Sequence, residues 1–221
     1  MKNNIWFFGD SFTYGEGCRL GFEYYEEVLF EDKKLWTTIV ADSLNLNEKN
    51  LGIRGGSTPS IIHTLISNLP NIKKNDYVII GDSLPTRTFA MNEKMKKVRS
   101  VTTDIFEQEY GLHNFFESTE SQISLLNYIN SNIIPYSKEW KLFYETQIES
   151  LQKYLLKNNV MCYYWSHLLW AAAPNRYHTI NKHTDSKIKD NHFSWIGHLE
   201  FSKYILKAIE NKKYIIHRSK I

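Results

Sequence analysis

Short apolar runs bounded by glycine or polar residues recur along this chain and predict buried β-strands. Residues 5–8 read Ile-Trp-Phe-Phe and end at Gly9, and residues 77–80 read Tyr-Val-Ile-Ile and end at Gly81. Both runs are short and rich in aromatic or β-branched side chains, which favours strands over helices. The pattern also predicts a second short strand and a fourth strand, over residues 50–53 and 160–165.

Longer segments between these runs have the apolar spacing of amphipathic helices. Ser57 or Thr58 can cap one of them, and Pro59 fits its first turn because that position needs no backbone N–H. The predicted helices span about residues 34–44, 58–69 and 195–210, with two more within residues 119–159 that are separated near Pro135.

Strands and helices alternate through the first 80 residues, which is typical of a parallel sheet built from right-handed crossovers. We therefore predict the α/β class, as a three-layer sandwich with a central parallel sheet of four to five strands. Length favours one domain over residues 1–221. Residues 84–116 are irregular and polar. We interpret them as an inserted excursion over the strand ends, where a lid would lie.

Composition indicates a folded globular protein. The 221 residues are 42% hydrophobic and 14% aromatic, which supplies a core that disordered and fibrous chains lack. The 27 basic and 24 acidic side chains leave a net charge of only +3, so a nucleic-acid partner is not expected. Two cysteines are too few for a disulfide framework.

The sequence contains neither a signal-peptide core nor an apolar stretch of membrane-spanning length. We therefore expect a soluble cytoplasmic protein with no membrane partner. Export as part of a virus particle would leave the same pattern, so that alternative stays open.

The tripeptide Gly-Asp-Ser occurs twice, at residues 9–11 and 81–83, each time directly after a predicted strand. Ligands of open α/β sheets bind at the carboxyl ends of the strands, so Ser11 and Ser83 are predicted to be neighbours in one site. One of the two serines is a candidate nucleophile.

A serine nucleophile needs a histidine base, which a carboxylate usually orients. Asp190 and His192 lie just before the last predicted helix. A loop that enters a helix at the carboxyl end of the sheet would bring His192 toward Ser11. We therefore predict Ser11 as the nucleophile, His192 as the base and Asp190 as the orienting carboxylate, whereas His198 is predicted to be a packing residue or one that supports the site from behind.

Acyl transfer also needs hydrogen-bond donors at the position where the oxyanion forms. The candidates are the backbone N–H of Ser11, the backbone N–H of Gly55 or Gly56, where a side chain would block close approach, and the polar side chain of Ser83.

These residues resemble the SGNH or GDSL hydrolase family, whose nucleophile lies in a Gly-Asp-Ser motif right after the first strand. Residues 9–12, Gly-Asp-Ser-Phe, match that block closely. Residues 50–57, Asn-Leu-Gly-Ile-Arg-Gly-Gly-Ser, resemble the second block, in which a glycine N–H helps to form the oxyanion hole. The resemblance assigns that role to Gly55 and implies a flavodoxin-like SGNH fold, a catalytic triad and an acyl-enzyme.

The chain departs from the family pattern in two blocks. The third block normally reads Gly-x-Asn-Asp, and its Asn donates to the oxyanion, whereas residues 81–84 read Gly-Asp-Ser-Leu. The Ser83 hydroxyl would have to donate in place of the Asn. In the fourth block the Asp normally lies three residues before the His, whereas Asp190 lies two before His192. That spacing is similar to a branch of the superfamily that includes polysaccharide O-acetyltransferases.

The resemblance implies a serine esterase, and we expect its substrate to be an O-acetyl group on a carbohydrate. The predicted substrate-binding residues are Asp10, Arg87, Tyr14 and Trp195, of which the two aromatic rings suit stacking on a sugar. Arg87 either clamps an anionic substrate group or pairs with Asp82. Two alternatives stay open: transfer of the acyl group to a glycan hydroxyl, and a non-catalytic binding or virion module that kept the fold.

No cofactor and no metal are expected. Histidines and an aspartate do cluster in one predicted loop, but they show no recognised ligand spacing. They are His167, His178, His183 and Asp185.

Overall fold

A computed structural model describes residues 2–15, 34–83, 87–92, 97–101, 119–133, 135–166, 193 and 195–214. Their strands are β1 (Asn4–Phe8), β2 (Asn47–Asn50), β3 (Tyr77–Gly81), β4 (Thr88–Asn92), β5 (Lys97–Val101) and β6 (Met161–Trp165). Their helices are α1 (Ser11–Tyr14), α2 (Trp36–Ser43), α3 (Thr58–Asn68), α4 (Thr119–Tyr128), α5 (Ser137–Lys157) and α6 (Trp195–Glu210). A 3-10 turn, Leu69–Asn71, follows α3, and a π-helical turn, Ile129–Ile133, follows α4. None of the helices in these ranges is long and apolar enough to cross a membrane.

Four of the strands form a parallel sheet in the order β2-β1-β3-β6. The order reverses next to β1, as in flavodoxin-like sheets, and ligands of such sheets bind beside the reversal. The predicted α/β class with a central parallel sheet is confirmed.

Both faces of the sheet are buried because successive strand side chains point to opposite sides. Phe7 of β1 packs with Trp36 of α2 and Phe201 of α6 on one face. Phe8, the next residue, belongs to the core on the other face together with Ile148 of α5. Helices on both sides therefore enclose the sheet in three layers, which explains why β1, β3 and β6 are mainly apolar.

Most of the predicted elements are present. Helix α3 begins where the capping residues predicted it, because Ser57 and Ser60 form a capping box in which each side chain bonds the other residue's backbone N–H. The second strand was predicted three residues too late. Strand β2 reads Asn-Glu-Lys-Asn and alternates between exposed and half-buried side chains at the sheet edge, so apolar periodicity could not detect it.

The described part of the 84–116 excursion contains an antiparallel pair that its polar sequence did not reveal. Strand β4 pairs with β5 in a register that sets Thr88 opposite Val101. This pairing satisfies backbone polar groups of both strands.

A buried carboxylate, that of Asp76, links β1 to the start of β3 at the amino ends of these strands. Asp76 is 1% exposed and accepts hydrogen bonds from the backbone N–H of Asn4 at 2.8 Å, from Nε1 of Trp6 at 2.9 Å and from the backbone N–H of Lys73 at 3.0 Å. Burial acts to raise the pKa of Asp76, but these hydrogen bonds outweigh it and lower the pKa below its usual value.

Asp76→Asn should destabilise the fold by about 1–3 kcal/mol, because a charged acceptor of several hydrogen bonds is lost. Since the folded pKa is lowered, the carboxylate stabilises the fold above the unfolded pKa of about 3.9, and this stabilisation disappears as pH falls through the folded value. Urea unfolding between pH 7 and pH 3 measures both effects. The matched control is Asp42→Asn at an exposed ion pair, which should change the stability by less than about 1 kcal/mol. Equal losses of stability in the two variants would contradict the stabilising role of the Asp76 carboxylate.

Candidate active site

Strand register brings three loops to one edge of the sheet. Phe7 of β1 lies opposite Asn50 of β2, and Phe8 lies opposite Ile80 of β3. The loops that follow these strands therefore start side by side. The first two are also joined directly, because the Ile53 N–H donates to the Gly9 carbonyl at 2.9 Å.

Ser11 is the first residue of the short helix α1, directly after the first loop. Asp10 caps this helix, and its carboxylate accepts a hydrogen bond from the Phe12 N–H at 3.0 Å. The Ser11 side chain is 2% exposed, and within the described residues its hydroxyl has no hydrogen-bond partner. A buried hydroxyl with its bonding capacity unused is available to a substrate or a base.

Trp36 holds the Ser11 turn from the core side. Its indole Nε1 donates to the Phe12 carbonyl at 3.1 Å, and its ring packs edge-on against Phe7 and Phe201. Its backbone N–H donates to Nδ1 of His198 at 3.3 Å, so His198 caps α2 from the neighbouring helix α6. Apolar spacing predicted the helix that contains Trp36 but gave no sign of these hydrogen bonds. The prediction that His198 is a packing residue agrees with its 1% exposure.

Asn50 ties the second loop to the same turn. Its side-chain amide donates to the Thr13 carbonyl at 2.8 Å and to the Thr37 hydroxyl at 3.1 Å, while its side-chain oxygen accepts from the Gly52 N–H at 3.0 Å. The sequence marked Asn50 only as the start of a resembling block. Its position at the end of an edge strand lets one amide link three segments of the chain.

The glycines of the second loop are required for different reasons. A Cβ at Gly52 would collide with the backbone N of Tyr14. Gly55 has a left-handed backbone with φ of 59°, but a Cβ there would meet no atom within 4 Å. A Cβ at Gly56 would lie 2.9 Å from the Ile53 carbonyl oxygen. Close approach therefore explains Gly52 and Gly56, whereas backbone conformation explains Gly55.

Ser83 lies at the end of β3 and is held by α3. Its backbone N–H donates to the Thr58 hydroxyl at 3.0 Å, and that hydroxyl approaches the Ser83 carbonyl at 3.3 Å. Ser83 is 4% exposed. Because Thr58 occupies its backbone groups, the side-chain hydroxyl is the polar group that Ser83 presents to the site.

Arg87 joins all three loops through one guanidinium nitrogen. Its Nη1 lies 3.2 Å from the Ser83 hydroxyl, 3.4 Å from the Gly56 carbonyl and 3.5 Å from the Asp10 carboxylate. The prediction that Arg87 pairs with Asp82 is therefore wrong, because its carboxylate partner is Asp10.

Asp82 belongs to a separate buried network behind the site. It accepts hydrogen bonds from the Tyr164 hydroxyl at 2.7 Å and from the Ser166 hydroxyl at 2.9 Å. Burial, together with the negative charge of Asp82, raises the pKa of Tyr164 far above its usual value. Tyr164 therefore stays a hydrogen-bond donor and helps to fix the end of β3.

Asp190 and His192 lie outside the described residues. Phe193, the residue after His192 in the chain, is buried, and its ring packs edge-on against Phe12 with the centroids 4.9 Å apart. Phe12 in turn follows Ser11.

The remaining predicted residues are placed only in part. Tyr14 is partly buried in α1, one helical turn after Ser11. Trp195 begins α6, and its side chain is outside the described part. The structure therefore brings Asp10, Ser11, Ser83, Arg87 and the second-loop glycines together at the carboxyl edge of the sheet.

No protein-family model and no curated protein matches this sequence. Among solved structures, the chain is similar to a member of the lipolytic protein G-D-S-L family from Veillonella parvula, with 15% identity, 94% of this chain and 96% of that chain covered, and a TM-score of 0.36. It is also similar to a lipase/acylhydrolase from Enterococcus faecalis, with 15% identity, coverages of 95% and 96%, and a TM-score of 0.38.

Gly52→Ala should destabilise the fold by about 3 kcal/mol or more, because the added methyl group forces the second loop away from the Ser11 turn. Gly55→Ala is the matched control and should cost only about 1–2 kcal/mol, because its methyl group has room and only the left-handed backbone is unfavourable. Urea unfolding of both variants measures the difference. If Gly55→Ala lowers the free energy of unfolding as much as Gly52→Ala does, the close approach of Gly52 to the Ser11 turn is not what requires a glycine there.

Proposed function

We propose that this protein is a serine ester hydrolase in which Ser11 is the nucleophile, His192 the general base and Asp190 the residue that orients His192. The observation that carries the proposal is the Ser11 hydroxyl, which is buried at the carboxyl end of β1 without a hydrogen-bond partner in the described part of the chain. The loops after β2 and β3 lie beside it and present polar donors.

The chemistry assigned to these residues has two stages. His192 takes the hydroxyl proton as the Ser11 oxygen attacks the ester carbonyl carbon, and the carbonyl oxygen becomes an oxyanion. Collapse of this intermediate breaks the bond to the alcohol, which leaves with the proton from His192. Water then attacks the acyl-enzyme by the same route, releases the acid and restores Ser11.

Three groups are proposed to stabilise the oxyanion: the backbone N–H of Ser11, the backbone N–H of Gly55 and the hydroxyl of Ser83. Neither backbone N–H donates to another backbone group within the described residues. Donors that are free to bind a developing negative charge are what the oxyanion requires.

Packing around Phe12 supports the role of His192. Phe193 lies against Phe12 with a centroid distance of 4.9 Å. Phe12 directly follows Ser11 and Phe193 directly follows His192 in the chain, so this contact supports the proposed pairing of base and nucleophile.

For the substrate we propose an O-acetyl group on a carbohydrate. Tyr14 is partly buried one turn after Ser11, and the face of a tyrosine ring suits stacking on a sugar. Transfer of the acetyl group to a glycan hydroxyl would use the same acyl-enzyme, so the product decides between the two reactions.

Ser11→Ala and His192→Ala should each lower kcat for p-nitrophenyl acetate by about 10³-fold or more, because nucleophile and base act as a unit. Nitrophenolate release measures the rate. The matched controls are Ser67→Ala and His63→Ala, two exposed residues of α3 that should keep the wild-type rate. Equal rates in all four variants and the wild type would reject the hydrolase and favour a non-catalytic binding module.

Tyr14→Ala should raise KM for an acetylated xylo-oligosaccharide by about fivefold, the loss expected for one aromatic contact, and leave KM for p-nitrophenyl acetate unchanged. Acetate release measures hydrolysis, and mass spectrometry of an added glycan acceptor detects transfer. The matched control is Tyr136→Ala, since this tyrosine is 54% exposed outside the site. A KM that rises equally for both esters would contradict a sugar subsite at Tyr14.

A further inference from the structure

We propose that Arg87 is a positioning residue that turns the Ser83 hydroxyl into an oxyanion donor. This inference rests on the proposed hydrolase function and assigns Arg87 a role different from binding an anionic substrate group. It concerns the end of β3, where this chain has Ser83. A serine side chain is shorter than that of an asparagine and has a single proton to donate.

The hydrogen-bond pattern of Ser83 leaves its one proton available. Arg87 Nη1 can only donate, so the Ser83 hydroxyl accepts this 3.2 Å contact and keeps its own proton for another partner. That proton has no acceptor among the described residues. Thr58 meanwhile fixes the backbone on both sides of the Ser83 Cα, which limits where the hydroxyl can lie.

The charge of Arg87 strengthens that donor. A guanidinium is protonated at every working pH, and a hydroxyl that accepts a charge-assisted hydrogen bond becomes a stronger donor in turn. The side chain of Arg87 is only 20% exposed, so water screens this effect weakly. An oxyanion that binds the Ser83 proton therefore also experiences the positive charge behind it.

Contacts with the other two loops determine the position of the guanidinium. Its Nη1 lies 3.5 Å from the Asp10 carboxylate, which is fully buried and also caps the Ser11 turn, and 3.4 Å from the Gly56 carbonyl. The residue that orients Ser83 is thus held by the turn that carries Ser11 and by the loop that carries Gly55. Arg87 sets the distance between the proposed donors rather than contacting the substrate.

A purely structural role, in which Arg87 only neutralises Asp10, gives a different result in a double-mutant cycle. If Arg87 acts through Ser83, its removal matters only while the Ser83 hydroxyl is present. If Arg87 only neutralises Asp10, its removal lowers kcat by the same factor in both backgrounds.

The experiment measures kcat and KM for p-nitrophenyl acetate, together with urea unfolding, in Arg87→Gln and Arg87→Lys, each with and without Ser83→Ala. Ser83→Ala should lower kcat by about 10²-fold and Arg87→Gln by about 10-fold, with KM changed by less than about twofold, because the lost interaction forms only in the transition state. The double variant should be no slower than Ser83→Ala alone. Lys74→Gln removes an exposed positive charge at the opposite edge of the sheet and should leave kcat unchanged.

Losses that multiply in the double variants would overturn the inference, as would an unchanged kcat in both arginine variants. Ser11→Ala is assayed in parallel to separate this failure from that of the hydrolase. Ester hydrolysis that survives Ser11→Ala rejects the proposed function and the inference together. Hydrolysis that depends on Ser11 but shows multiplying losses rejects the inference alone.

Discussion

The parallel pairing of β1 with β2 on one side and β3 on the other is the constraint on which the rest of this structure depends. Parallel strands all end at the same edge, so the loops after residues 8, 50 and 81 must start as neighbours. Helices on both faces bury the strands and leave that edge as the place where polar groups can gather. The position of Ser11 near this edge follows from the pairing, because Ser11 comes shortly after the end of β1.

Single side chains then fix the geometry at that edge. Asn50 bridges the second loop to α1, Thr58 holds the end of β3, and Arg87 contacts all three loops. Each of these groups satisfies backbone or side-chain polar atoms that would otherwise be buried without partners, which is costly. These hydrogen bonds hold the three loops together at the edge where Ser11 and Ser83 lie.

The elements that could be predicted were those whose pattern is local. The apolar run before Gly9, the capping residues ahead of Thr58 and the helical spacing in α6 each reflect burial or capping within a few residues, and all three were correct. Strand β2 was misplaced because an edge strand keeps polar side chains, and its identity depends on backbone pairing with β1. Nothing local distinguishes Asn-Glu-Lys-Asn from a loop.

For the candidate site, the sequence by itself determined that Asp10, Ser11 and Ser83 follow buried strands, because short apolar runs closed by glycine can be recognised without a partner. Only the tertiary structure decided that Arg87 contacts Asp10 rather than Asp82 and that Trp36 binds the Phe12 carbonyl. Arg87 and Asp10 are separated by 77 positions in the chain. Which charges meet over such a distance depends on strand order and register, and these are properties of the assembled sheet.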